Sequence, residues 1–398
     1  MLLYLTAFVA AFCMLANSQF QVEYEWSYVN FTWPTKGAYQ KAVRDGTYVP
    51  QNNAIVAIKF YKDNIYMALM RSSQGTPVTL ATMKNVAGGG VKSNPLLKPY
   101  PSWSMNPQKS CKTLQNVQSL EIDRSGIMWV LDGTRNGDVT KCPGKLVLLD
   151  LNRGGKVVYS YTFPEEICMS KGCWLNDIVL EERFGGYAYI TDSSDSDPGL
   201  IVFSMKQKKS WKLRDATMFA NLKVVNYTVG GIQVPIVLNM DSIAMTPVPK
   251  NPSAERQIFY SPLSSYNLHS ISDCILRNET LAATSNWRNQ IKFLGFRPSI
   301  GDGMIVDNKG DLYVGLITEN SIAKWNIHEQ NLNLKTVTTN NKEMIWPDSF
   351  GMDDAGNIYN LADFVNYFFI GPLKMSDEPK IRIFKMHIGT KSYLYTEI

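Results

Sequence analysis

The stretch IDRSGIMWVLD, residues 122–132, has the pattern of a β-hairpin, because a polar turn from Asp123 to Gly126 precedes a run of apolar residues. The same pattern returns as VDNKGDLYVGL from residue 306 and as MDDAGNIYNLAD from residue 352. Repetition of one pattern along a chain is the signature of a repeat architecture. We therefore expect a protein built from repeated antiparallel hairpins.

Weaker copies of this hairpin extend the series to six. Each copy has an aromatic residue near the middle of its second strand, at intervals of 46 to 71 residues: Tyr66, Trp129, Tyr189, Tyr260, Tyr313 and Tyr359. Helical periodicity is scarce, and each interval has room for two further strands. Radial repetition of such units leaves few exposed sheet edges. The sequence predicts an all-β fold, a six-bladed β-propeller of four-stranded antiparallel blades around a central channel, with residues 19–398 as one domain. Two β-sandwiches are the alternative, but no linker marks a boundary between them.

The N-terminal residues predict export. An uncharged apolar run from Leu2 to Leu15 is followed by small residues at Ala16 and Ser18, which is typical of a signal peptide over residues 1–18. Three N-glycosylation acceptors fit a secreted, extracellular protein with no membrane partner: Asn30, Asn226 and Asn278.

Charge and cysteine content exclude other classes of partner. The net charge is +5 and the basic residues are scattered, so we expect no nucleic-acid partner. Separately, we expect the protein to be a monomer. Three separate histidines argue against a histidine-rich metal site. Five cysteines remain after the signal peptide, which leaves one thiol free or intermolecular: Cys111, Cys142, Cys168, Cys173 and Cys274.

The first strand of each blade lines the channel of a propeller, and its opening residue faces the mouth. These residues are acids and amides, with Asn53 as a rough counterpart in the first blade: Gln118, Asn176, Asp241, Asp302 and Asp348. A second group of acids closes the following strands at Asp132, Asp192 and Asp363. Asp at a strand end commonly caps a turn, so a structural role is the alternative for this group and the expectation for Asp123, Asp307 and Asp353.

Acids gathered around one axis repel one another unless a cation joins them. An organic ammonium ion is one candidate, held by carboxylates and by aromatic walls such as Phe350 and Phe364. A structural calcium ion with oxygen ligands is the other, and the residues leave this choice open. No other cofactor is expected.

Several motifs resemble the Yellow and major royal jelly proteins of insects, and the similarity runs from about Trp26 to Tyr393. They include PQNNAIVAIKFYKDNIYMALMR, LLKPYPSWS, GIMWVLDGT, GLIVFSMKQKKSW and MIWPDSFGMDDAGNIYNLAD. The resemblance implies a secreted six-bladed propeller and pairing of Cys111 with Cys142. Cys168 and Cys173 have no family counterpart; a local pair between them would leave Cys274 unpaired, but any of these three cysteines could be the unpaired one. In amine-binding relatives a Thr and an Asn hold the ligand where this chain has Asp348 and Asp363.

The resemblance implies three functions. The first is binding of a small amine or catechol-derived ligand in the channel, linked to melanin pigmentation or to biogenic-amine handling. The second is a dopachrome-converting tautomerase, with crowded aspartates as its acid and base. The third is a structural or storage role. A calcium-dependent lactonase, with Glu121 among its ligands, is a more distant alternative among propellers.

Overall fold

The computed structural model describes residues 19–86, 88–133, 141–224, 226–370, 376 and 378–398. The predicted signal peptide, residues 1–18, lies outside these residues. The described strands, in chain order, are β1 (Gln21–Trp26), β2 (Ala54–Tyr61), β3 (Asn64–Met70), β4 (Leu80–Lys84), β5 (Lys92–Ser93), β6 (Lys98–Pro99), β7 (Val117–Ile122), β8 (Ile127–Asp132), β9 (Lys145–Asp150), β10 (Lys156–Thr162), β11 (Leu175–Glu181), β12 (Tyr187–Asp192), β13 (Gly199–Ser204), β14 (Lys209–Leu213), β15 (Tyr227–Val229), β16 (Ile232–Val234), β17 (Met240–Met245), β18 (Gln257–Pro262), β19 (Asn267–Ser272), β20 (Lys292–Phe296), β21 (Gly301–Val306), β22 (Asp311–Leu316), β23 (Ser321–Asn326), β24 (Lys335–Thr339), β25 (Pro347–Met352), β26 (Asn357–Ala362) and β27 (Ile381–His387).

Helices occupy only short connections between these strands. The α-helices are α1 (Lys36–Arg44), α2 (Asp273–Arg277) and α3 (Glu279–Ala282). Single 3₁₀ turns lie at Pro50–Asn52, Trp103–Met105, Leu151–Arg153, Arg183–Gly185, Ala216–Met218, Asn286–Gln290 and Val365–Phe369. Within the described part of the chain, no helix combines the length and the apolar character that crossing a membrane requires.

The strands form six antiparallel blades, as the hairpin repeat predicts. The blades are β2-β3-β4-β6, β7-β8-β9-β10, β11-β12-β13-β14, β17-β18-β19-β20, β21-β22-β23-β24 and β25-β26-β27-β1, and β5 adds to the last in parallel. The inner strands β2, β7, β11, β17, β21 and β25 contact one another in a ring around the channel. All six repeated aromatics lie on the second strand of a blade and are buried, so the six-bladed propeller is confirmed.

The N-terminal strand closes the ring, which the hairpin repeat did not predict. β1 pairs antiparallel with β27, and Trp26 lies opposite Ile381. Trp26 is fully buried, and its indole N–H donates a hydrogen bond to the carbonyl oxygen of Pro95 at 2.9 Å. Blade 6 is therefore assembled from both ends of the chain.

The predicted turn aspartates cap their hairpins. Asp123 Oδ1 accepts hydrogen bonds from the backbone N–H groups of Ser125 and Ile127, at 3.0 and 2.9 Å. Asp307 and Asp353 accept equivalent bonds in their own turns. These bonds satisfy backbone donors that the reversal of the chain would otherwise leave unpaired.

The structure contains the disulfide that the resemblance implies and a second, local one. Cys111 bonds to Cys142 and Cys168 bonds to Cys173. Among the described cysteines, Cys274 alone is free, and it is exposed. The second disulfide is buried and directly precedes Trp174 in the chain, so it restrains the segment that leads into β11.

We expect Trp26→Ala to destabilise the protein by about 3–5 kcal/mol, because it removes a large, fully buried side chain from the closing strand. Tyr28 lies two residues further on with 36% of its surface exposed, so Tyr28→Ala is the control and should cost no more than about 1 kcal/mol. Urea unfolding of both variants measures the difference. Equal midpoints for Trp26→Ala and wild type would show that closure by β1 does not stabilise the ring.

Candidate functional site

A cavity of about 60 Å³ lies in the channel near the end at which the inner strands begin, here called the upper end. A β-bulge interrupts every inner strand at this level, since the pairing register shifts between Ile55 and Ala57, Val117 and Ser119, Leu175 and Ile178, Met240 and Ser242, Asp302 and Met304, and Pro347 and Phe350. A bulge breaks the strict alternation of side chains between the two faces of a strand. Neighbours such as Asn176 and Asp177 therefore both line the cavity.

The structure brings most of the sequence-predicted residues to this cavity. The predicted residues that line it are Gln118, Asn176, Asp241, Asp302, Asp348 and Phe350. Asn53 was expected as a counterpart, but its amide donates to the backbone oxygens of Val49 and Gly75 and the residue does not line the cavity. Asp363 and Phe364 are not among the lining residues either. The structure places Asp363 next to Asp348, and the Phe364 ring lies 5.7 Å from that of Tyr367.

Asp241 and Asp302 form one pair of buried carboxyl groups that share a hydrogen bond. Asn176 donates to Asp241 at 2.5 Å, and the Trp346 indole N–H donates to Asp302 at 2.8 Å. Burial and the neighbouring carboxylate of Asp302 raise the pKa of Asp241 well above its usual range. The guanidinium of Arg297, which is also buried, lies close enough to interact with both carboxyl groups. This pair therefore has a buried positive charge in its vicinity, although the guanidinium donates its hydrogen bonds to the backbone oxygens of Gly301, Pro262 and Ser265.

Asp348 and Asp363 form a second pair with fewer partners. The backbone N–H of Val365 donates to Asp363 Oδ1 at 3.0 Å, while Asp363 Oδ2 has no nitrogen or hydroxyl donor among the described residues. The hydrogen bond between the two carboxyl groups therefore requires a proton on one of them. Burial raises the pKa of Asp363, and burial with the charges of Asp302 and Asp363 raises the pKa of Asp348 well above its usual range. No described lysine or arginine forms an ion pair with either group.

Lys59 forms the floor of the cavity. Its ammonium group lies 3.3 Å from the Glu121 carboxylate and donates to the carbonyl oxygen of Phe350 at 3.2 Å. Lys59 also lines a second cavity of about 250 Å³ at the opposite end of the channel, so it separates the two spaces. Asp177, on the wall above, accepts a hydrogen bond from the Ser119 hydroxyl at 2.9 Å.

Aromatic side chains and two connections complete the walls and the roof. Trp174, Trp346, Phe350 and Phe369 line the cavity. The β15–β16 hairpin lies against the turn Val365–Phe369, where the Asn366 amide donates to the carbonyl oxygen of Val229 at 2.9 Å. Trp346 has a φ of 59°, which is uncommon for an aromatic residue. Such backbone strain persists only where the surrounding packing holds it, and it often occurs at binding sites.

The acids predicted at the ends of the second strands, Asp132, Asp192 and Asp363, have two different roles in the structure. Asp132 accepts the backbone N–H groups of Gln115 and Asn116 and pairs with Lys145. Asp192 accepts the backbone N–H of Trp174 and pairs with Lys212. Both therefore have structural roles, whereas Asp363 joins the carboxyl pair of the cavity.

A structural calcium ion in this cavity stays a prediction. In the part of the chain that the structure describes, no group of three or more acidic, histidine or cysteine side chains is placed to hold a metal ion. Glu121, the acid of the lactonase alternative, is engaged by Lys59 and by the Tyr393 hydroxyl at 3.2 Å.

The glycosylation acceptors differ in exposure. Asn226 and Asn278 are exposed, as attachment of a glycan requires. Asn30 is half-buried, and its side-chain oxygen accepts hydrogen bonds from the backbone N–H of Phe31 and from Trp33. Glycosylation at all three stays a prediction.

Sequence reasoning missed five important lining residues. They are Lys59, Ser119, Trp174, Asp177 and Phe369. Strict alternation along a strand places residues 176 and 177 on opposite faces, so a channel-facing Asn176 predicts that Asp177 faces away from the channel. Lys59 is the sixth residue of β2, and no local sequence pattern predicts that it lines the cavity. Its position at the floor of the cavity depends on how the six inner strands are arranged around the channel.

Comparison with known proteins agrees with this architecture. The family model described as major royal jelly protein matches residues 115–391. Major royal jelly protein 9 of Apis mellifera is 23% identical over 332 residues, covering 81% of this chain and 74% of that protein. Protein yellow of Drosophila melanogaster is 23% identical over 400 residues, covering 94% of this chain and 70% of that protein.

Among solved structures, a luciferin-regenerating enzyme superposes with a TM-score of 0.50 at 11% identity, covering 88% of this chain and 99% of that one. This likeness supports the propeller fold alone. The family match spans more than half of the sequence and includes five of the six inner strands. This chain belongs to the major royal jelly protein family, which also includes the Yellow proteins.

Proposed function

We propose that the upper cavity binds a small organic amine, with the ammonium group at the Asp348–Asp363 pair. The observation that carries this proposal is a buried carboxyl pair, without an ion-pair partner among the described lysines and arginines, beside a cavity that side chains leave open. The relatives and the family resemblance make a catechol-derived or biogenic amine the class to test first. We also propose that the protein is secreted and acts in pigmentation or in the handling of such amines outside cells.

The charges distinguish the two carboxyl pairs. Asp241 and Asp302 share one proton, and the buried guanidinium of Arg297 interacts electrostatically with both, so part of the negative charge of this pair is offset. Asp348 and Asp363 also share one proton, but the remaining negative charge has no ion-pair partner among the described residues. A buried unpaired charge is costly. A ligand ammonium ion is therefore most stabilising at Asp348, the member of this pair that lines the cavity.

The walls suit the remainder of such a ligand. Trp346, Phe350 and Phe369 provide aromatic faces, which attract a cation and pack against an apolar ring. The small volume of the cavity favours a ligand of low molecular weight. An open cavity also counts against a purely structural or storage role, for which we expect a channel filled by side chains.

Calorimetric titration with dopamine, serotonin and phenethylamine tests amine binding. We expect saturable one-site binding that Asp348→Asn weakens by about tenfold or more, because the charge-assisted hydrogen bond is lost while the shape is kept. Asp354→Asn is the matched control, since Asp354 lies on the same blade but is exposed and lines the opposite cavity. Absence of binding to every amine would refute the proposal.

Amine affinity should rise with pH. The pKa values of Asp348 and Asp363 are raised in the free protein, so the pair holds more protons than free aspartates do, and an ammonium ligand favours the ionised pair. Binding then releases protons, and affinity should increase by up to about tenfold per pH unit between about pH 6 and pH 8. Titrations in buffers of different ionisation enthalpy measure this release. Asp348→Asn should show little pH dependence, and an equal slope in both proteins would place the titrating group elsewhere.

The proton-sharing pair also favours a second candidate function, a dopachrome-converting tautomerase. Such a reaction needs one group that donates a proton and one that accepts it, and Asp348 with Asp363 has both forms side by side. If this function is correct, purified protein accelerates dopachrome decay, and Asp348→Asn lowers the rate by about 100-fold. Amine binding without any acceleration of dopachrome decay leaves the protein as a binding protein.

A further inference from the structure

The proposed amine site has its negative charge on one wall of the cavity, and Lys59 at the floor is the one lysine or arginine among the described lining residues. Lys59 lies on β2, between the inner strands of blades 2 and 6, and 14% of its side-chain surface is exposed. An ammonium group has three protons to donate. Two of them have protein partners within reach, Phe350 O at 3.2 Å and the Glu121 carboxylate at 3.3 Å. No third acceptor of Lys59 occurs among the described residues.

We infer that Lys59 is a specificity residue, which donates a hydrogen bond to an uncharged oxygen at the end of the ligand opposite its ammonium group. This inference rests on the proposed amine site, because it requires the ligand to be oriented with its ammonium group at Asp348. The preferred ligand class is then an arylalkylamine with a phenol-type hydroxyl or a carbonyl oxygen on its ring. A plain arylalkylamine fills the same space but leaves the third proton of Lys59 without an acceptor.

The charges around Lys59 explain why the oxygen has to be uncharged. Glu121 already neutralises the ammonium group, and Asp177 lies nearby on the wall. Asp241 and Asp302 line the same cavity. A ligand carboxylate at either end meets this acidic surface without a free cation to pair with. The site should therefore reject α-amino acids and accept the amines that remain when the carboxylate is absent.

Three ligands that differ by one group test the inference by calorimetry. Phenethylamine has the ring and the amine, tyramine adds a ring hydroxyl, and tyrosine adds a carboxylate to tyramine. We expect tyramine to bind about tenfold more tightly than phenethylamine, as a hydrogen bond from a charged donor provides, and we expect no measurable binding of tyrosine.

Substitutions of Lys59 and its partner Glu121 test whether Lys59 causes the preference for tyramine over phenethylamine. The double variant Lys59→Met with Glu121→Gln removes the ammonium group without leaving a buried charge unpaired, and it should bind tyramine and phenethylamine equally. Lys59→Gln is the second variant if the double variant does not fold, because its amide can still donate to Phe350 O. Lys62→Met is the matched control, since Lys62 lies at the opposite end of the channel and donates to Asn152 at 2.9 Å. It should keep the tyramine preference.

Each outcome has a distinct meaning. Equal affinity of phenethylamine and tyramine for the wild type overturns the role of Lys59 and leaves the amine site intact. A tyramine preference that persists without Lys59 overturns the assignment to this residue. Tyrosine binding as tightly as tyramine overturns the exclusion of carboxylates. Failure of all three ligands to bind removes the amine site itself, and the inference with it.

Discussion

The pairing of β1 with β27 is the contact on which the channel depends. A propeller blade is stable only between two neighbours, so an open ring exposes the faces of the first and the last blade. Blade 6 is the most dependent, since its fourth strand comes from residues at the opposite end of the chain. The same blade contains Asp348 and Asp363. Closure of the ring and the position of the proposed amine site are therefore coupled.

Burial of the carboxyl groups at the centre of this ring opposes folding unless their charge is reduced. Moving an isolated ionised carboxylate out of water costs several kcal/mol even after the protein relaxes. The structure reduces this cost in two ways: protons are shared within pairs, and Arg297 lies beside Asp241 and Asp302. The pair of Asp348 and Asp363 has only the first of these. The residual negative charge of this pair, next to the open upper cavity, is the feature that the proposed binding of a cation requires.

The fold could be predicted from the sequence because its signals are local. Trp129 and Tyr313 mark the second strand of a blade through the turn that precedes them, and the acids at the start of the inner strands follow from the same alignment. The bulges could not be predicted, since they arise where six strands crowd around one axis. They decide that Asp177 faces the cavity. The role of Lys59 in the cavity could not be predicted either, because its partners Glu121 and Phe350 are distant in sequence.

The resemblance places a Thr and an Asn of amine-binding relatives where this chain has Asp348 and Asp363. The single proton of the Asp348–Asp363 pair already lies in the hydrogen bond between the two carboxyl groups, so the pair presents only acceptors to a ligand, whereas a hydroxyl and an amide also donate. The exchange therefore replaces donor groups by acceptors and adds one negative charge. That charge strengthens the attraction for an ammonium ion, and it also makes the attraction depend on proton occupancy. The proposed amine site thus couples the selection of a ligand to pH at Asp348 and to the hydrogen-bonding end of the ligand at Lys59.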